Sequence, residues 1–495
     1  MYLNKLRRAL REMLSKIELT YDDFHDYQRV SEQFLIDNPY CGLYIDMGMG
    51  KTGIALKVAC DLLANFEVEK VLIVAPLRVA NRTWPDEIEK WEFSAPFRYQ
   101  VLTCPEVDRP YACQSTAPIH IINRENIPWL VDFWRKKWPY DMVIIDESTS
   151  FKDHTTKRFK KMQLVRPFMK RLVLMTASPA AESYVYFFAQ IGLLDYFETF
   201  GKFITKFKSK YFDFNRYTYE LTLREGADKQ IEEAIAPLCL VMKAEDYLDM
   251  PPLHNRAEYC TLPPKVMEMY NTLQRDFIVT VGDQEIEAEQ AASLSAKLRQ
   301  LASGFLYTTQ LDYDPKTDTF KKQRGCVKVH DERQQELLRI LEECHNENVL
   351  IAYHFKESLE DIKAALPKCV VMDKEGKCVT KWNQGKIKHL VAHPQSAGHG
   401  LNLQKGGRRI VFYDMPESLE YYEQFVRRLF RQGQQHACFV HHLIMKGTRD
   451  EIVYRALQDK ANVQSRFFVA LKEMQRKQMA ELRKKAKQTE DEEFL

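Results

Sequence analysis

The sequence predicts an α/β protein built on parallel sheets. Three observations carry this expectation. Continuous apolar runs such as Val71-Leu72-Ile73-Val74-Ala75 and Met142-Val143-Ile144-Ile145 recur between stretches of helical periodicity, the pattern of strands covered on both faces. The runs stop at punctuating residues, Pro76 after the first and Asp146 after the second. A third run, Leu43-Tyr44-Ile45, opens into the glycine-rich stretch Asp46-Met47-Gly48-Met49-Gly50-Lys51-Thr52, which a strand and a helix would flank.

In chain order, residues 1–20 read as an N-terminal helix, because Arg7, Arg8 and Arg11 punctuate a helical pattern rather than a signal peptide. Residues 21–200 form a first sheet domain. Its strands lie near residues 43–45, 71–75, 119–122, 142–145 and 171–175. Residues 201–325 are aromatic and charged, with helical periodicity, few strand runs and the breaks Pro251-Pro252 and Pro263-Pro264; they read as a helical insertion and linker. Strand runs return at Val349–Tyr353, Cys369–Met372, His389–Ala392, Arg409–Tyr413 and Cys438–His442, giving a second sheet domain over 326–460. Residues 461–495 read as a charged helix and solvated tail, basic from Leu471 through Lys487 and then acidic at Glu490-Asp491-Glu492-Glu493.

Composition bounds the function. Apolar residues make up 45% and charged residues 28% of the 495, enough for each domain to bury a core. A net charge of +3 is too weak a bias to identify a nucleic-acid partner by itself. The 11 cysteines have no C-x-x-C spacing, which points to free thiols rather than a zinc site or disulfide framework. No apolar run is long enough for a bilayer, so the expectation is a soluble intracellular protein without membrane contact.

The chemistry starts at the glycine-rich loop. Backbone N–H groups at a strand–loop–helix junction converge on one point, and the helix dipole favours an anion there. Gly48 and Gly50 let the loop curl. Lys51 reaches β- and γ-phosphates, and the Thr52 hydroxyl holds Mg²⁺. The full G-x-x-x-x-G-K-[ST] pattern is not met, since Ile45 occupies the first glycine position. Asp146-Glu147 follows its strand about 95 residues after Lys51. Carboxylates at a strand's C-terminal end lie in the crevice where open α/β sheets bind ligands. There Asp146 completes a Mg²⁺ site and Glu147 orients and deprotonates water.

Together these motifs resemble superfamily 2 helicases, specifically the Swi/Snf-like ATPases, over about residues 24–458. Asp26-Tyr27-Gln28 resembles the upstream element whose Gln reads adenine. Ala75-Pro76-Leu77, with Trp84, Glu87 and Lys90-Trp91, resembles the strand and helix that touch the tracked strand. Asp146-Glu147-Ser148-Thr149 resembles the DEAH-type box, and Thr176-Ala177-Ser178-Pro179 the Thr-Gly-Thr-Pro element. In the second half, Ser396-Ala397-Gly398-His399-Gly400-Leu401-Asn402-Leu403 is close to the family's glycine-rich motif. Gln424 and Arg428-Leu429-Phe430-Arg431-Gln432-Gly433-Gln434 resemble the arginine-finger helix. Departures are Ser148-Thr149 for Ala-His, Ala177-Ser178 for Gly-Thr and Phe430 for His.

The resemblance implies two RecA-like parallel-sheet domains in tandem with a helical insertion between them. It implies ATP and Mg²⁺ as cofactors. Tyr27, Gln28, Asp46, Met47, Gly48, Met49, Gly50, Lys51, Thr52, Asp146 and Gly400 would contact the nucleotide. Lys51, Glu147, Arg428 and Arg431 would be catalytic, the two arginines sharing one face of a predicted helix and arriving when the second domain closes. Gly398 and Gly400 read equally as turn glycines on spacing alone.

For a nucleic-acid track the candidates are Arg78, Asn81, Arg82, Lys152, Lys356, Gln404 and Lys405, informative only as a set. Aromatic residues show no RNA-recognition pattern, so sequence-independent tracking of double-stranded DNA by a monomeric motor is expected, with RNA the lesser alternative. Replication, recombination or repair would be its setting. Two rivals stand beside this reading. One is a strand-separating DNA or RNA helicase, which the absence of an obvious wedge hairpin in the sequence counts against. The other is a nucleotide-switched DNA clamp without turnover.

Overall fold

The computed structural model describes residues 17–180, 183–216, 221–281, 284–287, 291–314, 319–373, 376–397 and 402–493. The chain divides into two compact units. One comprises Met1–Asp249 with Asn462–Leu495, the other Met250–Ala461.

In the first unit the strands are β1 (Tyr40–Ile45), β2 (Val71–Ala75), β3 (Tyr99–Val101), β4 (Ile119–Asn123), β5 (Met142–Asp146) and β6 (Arg171–Thr176), the short hairpin β7 (Phe212–Phe214) and β8 (Leu221–Leu223), and β9 (Cys239–Met242). Seven of these build one sheet in the order β3-β4-β2-β5-β6-β1-β9. Every pairing within it is parallel. Side chains alternate across a strand, and the core splits accordingly. Leu72, Val74, Val143, Ile145, Leu172 and Leu174 enter one apolar cluster. Their neighbours Val71, Ile73, Met142, Ile144, Val173 and Met175 enter another on the opposite face. Burial on both faces is why these strands are apolar without interruption.

The second unit carries β10 (Leu253–Cys260), β11 (Ile278–Val281), β12 (Gln284–Glu287), β13 (Phe305–Asp314), β14 (Thr319–Lys328), β15 (Val349–Ala352), β16 (Val370–Val371), β17 (His389–Ala392), β18 (Arg409–Phe412) and β19 (Cys438–Met445). Its parallel sheet runs β10-β19-β18-β15-β17-β16. Val349, Ile351, Val391, Val411 and Leu443 pack on one face against Leu337, Ile340 and Ile362.

The two parallel sheets meet the expected fold class, and the segment 201–325 is richer in strands than its sequence suggests. It holds helices such as Ile204–Tyr211 and Pro264–Asp276. It also supplies β9 to the first sheet and β10 to the second. Cys239-Leu240-Val241-Met242 is apolar but only four residues long, too short to tell from a helix segment. An antiparallel ribbon, β13 with β14, pairs Phe305 with Lys328 through Asp314 with Thr319. The absence of a wedge-like hairpin therefore no longer weighs against strand separation.

Residues 449–493 form one helix, Arg449–Glu493. Its middle is not solvated. Phe467, Phe468 and Leu471 are buried in the first unit's core, and Lys472 pairs with Asp246 at 2.5 Å.

Candidate functional site

The first unit builds the phosphate loop from three elements, β1 and helices α1 (Asp26–Asp37) and α2 (Lys51–Ala64). Gly48 and Gly50 have φ of 84° and 80°, the left-handed region that glycine enters without a Cβ penalty. Gly50 is also the N-cap of α2, so the loop delivers the chain directly into the positive end of a 14-residue helix. A Cβ on Gly50 would lie 2.1 Å from Gln28 Nε2. Gln28 itself is nearly buried. Its Nε2 donates to the Met49 carbonyl at 3.3 Å, and its Oε1 accepts from His25 N at 2.9 Å. In this arrangement the Gln28 amide ties α1 to the loop. Tyr27 beside it is 5% exposed and stacks with His25 at 5.3 Å between centroids.

Lys51 Nζ donates to the carbonyls of Ile45 at 2.6 Å and Asp46 at 3.0 Å. The ammonium is thus held over the loop. Asp46 Oδ2 accepts from Ala244 N at 3.0 Å, which fixes the loop's entry to the segment after β9. Met49 is fully buried, whereas Met47 and Thr52 are half-buried.

Asp146 ends β5. Its Oδ2 accepts from the Trp84 indole Nε1 at 3.1 Å and its Oδ1 from Glu147 N at 3.0 Å. Burial pushes this carboxyl up, while the Lys51 ammonium and the Trp84 N–H pull it back; the balance lies above the usual carboxylate range. A cation placed there would offset the burial cost of the charged form. Glu147 has φ of 52°, an uncommon conformation for a residue with a side chain. Ser148 Oγ donates to Gln190 Oε1 at 3.2 Å, so this serine packs inward. On the neighbouring strand, Ser178 N donates to Thr176 Oγ1 at 3.1 Å.

Trp84 corrects an expectation. It opens helix α3 (Trp84–Lys90) and is fully buried, and Trp91 is 5% exposed. Neither indole presents itself to a tracked strand. Trp84 instead holds Asp146, and Trp91 Nε1 donates to Glu87 Oε1 at 2.8 Å. Nothing local in the sequence signals the Trp84–Asp146 pairing, because 62 residues separate the two.

In the second unit, helix α4 (Leu419–Val426) carries the fully buried Gln424. The helix stops before the arginines. Arg428 and Arg431 lie beyond it in successive turns, with Arg428 N donating to Phe425 O and Gln434 N to Arg431 O. The expected shared helix face is therefore absent; a tight turn positions these residues instead. Gly433, with φ of 89°, lets the chain reverse there. Gln434 then pins the turn, donating Nε2 to the carbonyls of Gln404, Gly407 and Leu429 at 3.1, 3.3 and 3.2 Å. Phe430, at the position read as a histidine in the family, is buried under the Arg427 guanidinium at 5.2 Å. Gly400, with Gly398, His399 and Leu401, lies outside the described residues.

The track candidates are spread over both units. In the first, Asn81 and Arg82 are exposed and Arg78 half-buried around the turn Val79–Thr83, with Asn81 Oδ1 accepting from Thr103 Oγ1. Lys152 sits over the Tyr186 ring at 4.7 Å. In the second, Lys356 lines a 440 Å³ cavity with Lys328, Glu357, Glu360 and Asp361, where the acids outnumber the lysines and Lys328 already pairs with Asp361 at 2.7 Å. Gln404 and Lys405 lie together on the loop before β18.

Residues 34–304 match the SNF2-related domain, which is more than half of the chain. The chain belongs to the SNF2-related family. A putative protein p41 of Acyrthosiphon pisum secondary endosymbiont phage 1 is 32% identical over 463 residues, covering 90% of this chain and 98% of that protein. The chicken DNA repair and recombination protein RAD54-like is 21% identical, covering 86% of this chain and 63% of its own length. This SNF2-related chain thus spans under two thirds of the RAD54-like proteins it matches. Among solved structures, the Sulfolobus solfataricus SWI2/SNF2 ATPase core in complex with dsDNA aligns at 19% identity with a TM-score of 0.42, over 91% of this chain and 95% of that one. Membership of the SNF2-related family implies ATP as the nucleotide. No helix among the described residues is long and apolar enough to cross a membrane.

Proposed function

We propose that this chain is an ATP-driven motor on double-stranded DNA. The observation that carries the reading is the first unit's constellation. A lysine and two left-handed glycines lie at a helix N-terminus, with a carboxylate held by two N–H donors at the end of β5. The donor set suits ATP with Mg²⁺: Thr52 and Asp146 would hold the ion, and the loop from Asp46 to Lys51 would hold the phosphates. When bound, Mg²⁺ neutralises charge on the triphosphate oxygens. Lys51 orients the terminal phosphates. Glu147 accepts a proton from the attacking water. Arg428 and Arg431 stabilise charge on the equatorial oxygens, and removing such a guanidinium costs on the order of a thousandfold in rate. The duplex as track rests on the RAD54-like and RDH54 relatives, named for DNA repair and recombination, and on exposed basic candidates such as Arg82 and Lys405.

The test is phosphate release with and without duplex DNA. DNA stimulates the wild-type rate, and Lys51→Ala or Glu147→Gln abolishes that stimulation while circular dichroism stays unchanged. A Glu147→Gln chain with undiminished turnover would refute the assignment. The ribbon β13–β14 supports a second reading, a strand-separating helicase. Displacement of one strand from a forked substrate, with none from a blunt one, selects it.

A further inference from the structure

The edge of the second sheet where its strands begin carries a basic pocket that the nucleotide reading does not use. Segments just before β15, β17, β18 and β19 converge on a cavity of 460 Å³. Lys388, Lys405 and Arg408 line it, and Glu347 is the one acid among its described lining residues. That acid is already engaged. Arg408 donates to it through Nε at 3.0 Å and Nη2 at 2.6 Å, and Arg409 Nε does so at 2.9 Å. The two guanidinium groups hold its carboxyl down at about 2. One carboxylate therefore faces two guanidinium groups, and the two lysines add positive charge that no described lining acid cancels. Lys388 Nζ touches the Asn346 carbonyl at 2.8 Å, which occupies one of its three donors.

Two glycines hold the wall close to the protein beneath it. A Cβ on Gly406 would meet the Trp382 indole nitrogen at 2.2 Å, and one on Gly407 the Asn348 carbonyl at 3.0 Å. Both directions point into the unit's own interior, so the two glycines let the pocket wall pack directly on Trp382 and the segment before β15. The excess of ammonium and guanidinium donors lining the cavity suits an acceptor-only dianion or diester of tetrahedral shape.

We propose that this pocket is a phosphate-binding site of the second unit, taking a backbone phosphate of the duplex or a free phosphate ion. The first source deepens the motor reading above and rests on it; the second does not. The pocket also connects to the arginine turn. The carbonyls of Gln404 and Gly407 on its wall both accept from Gln434, which bonds Leu429 O as well. Leu403 N donates to the Arg428 carbonyl at 3.2 Å. A phosphate seated here would thus steady the segment that presents Arg428 and Arg431.

The experiment compares full-length wild type with Lys388→Glu, Lys388→Ala and Lys388→Arg in two arms. In the first, affinity for a blunt duplex is titrated across a salt series. In the second, thermal protection by sodium phosphate is measured against sodium chloride of equal ionic strength. If the source is the duplex, Lys388→Glu and Lys388→Ala weaken binding several-fold and flatten the salt slope by about one, and Lys388→Arg stays close to wild type. If only the phosphate arm responds, the site stands with the free ion as ligand. Duplex affinity and phosphate protection that are both indifferent to Lys388→Glu and Lys388→Ala overturn the proposal. Wild-type ATP hydrolysis that ignores DNA would sink the motor reading and leave the phosphate arm to judge the pocket.

Discussion

Trp84 donates its indole N–H to Asp146 from inside the core, so a fully buried residue sets the acid's orientation and charge. Hydrogen bonds to an ionised group contribute about 1.5–3 kcal/mol. Trp84→Phe keeps most of the ring volume and deletes the donor. The Asp146 carboxyl, already raised by burial, then rises further, because the lost N–H had favoured the ionised form. The expected outcome is a fold-intact chain that needs a higher Mg²⁺ concentration for half-maximal turnover, with an acid limb of the ATPase profile displaced to higher pH. An unchanged limb would show that the indole only fills space. The places of Lys51 at the start of a helix and of Asp146 and Glu147 at the end of β5 were legible in the sequence, because an apolar run that opens into glycines or stops at paired carboxylates marks the end of a buried strand. Trp84 and the Gln28–Met49 tie were not, since both depend on tertiary contacts made far along the chain.

At the scale of elements, most strands of the two sheets were readable because burial on two faces forces unbroken apolar runs, whereas β3 and β10, which are only partly buried and mix polar with apolar residues, were not. β9 escaped through brevity. The ribbon β13–β14 escaped because its strands mix Thr, Gln, Asp and Lys with apolar residues. Predicted helix at Arg428–Arg431 failed for a different reason: α4 stops at Val426, and bonds from the Gln434 amide to main-chain carbonyls shape the turn beyond it. The central strands also store a pH dependence. Burial, with Lys70 nearby, holds the His120 imidazole on β4 down at about 3, and its Nδ1 lies 2.8 Å from the Tyr140 hydroxyl. Burial likewise holds His442 on β19 at about 4. Unfolded histidines, near 6.5, bind protons that these folded ones refuse. Stability is therefore full above about 6.5 and falls as pH drops toward 4 and 3, by about 1.4 kcal/mol per pH unit for each group. His120→Gln should make the decline between pH 6.5 and 4.5 shallower in urea unfolding. An equal slope in the variant would remove His120 from the account.

For the whole molecule, the first unit is discontinuous, with residues 1–249 completed by 462–495. The returning segment is part of the core. Phe467 is fully buried and stacks with Phe187 at 5.0 Å between centroids, and Phe468 and Leu471 join the same cluster. Phe→Ala at such a site costs about 3–5 kcal/mol. Two units with separate sheets need not melt together. Phe467→Ala should lower the unfolding transition of the first unit, followed by hydrogen exchange at β1, β5 and β6, and leave exchange at β15, β17 and β18 as it was. Equal losses in both units would contradict this division of the core.

The same return of the chain governs its birth. A ribosome releases β1 through β6 long before it releases Phe467, and domains ordinarily fold as they emerge. Here the N-terminal half leaves the exit tunnel with an apolar seat waiting for a plug made more than two hundred residues later. The later-made sheet has all its own parts by Ala461 and can mature first, so the order of synthesis and the order of completion are reversed.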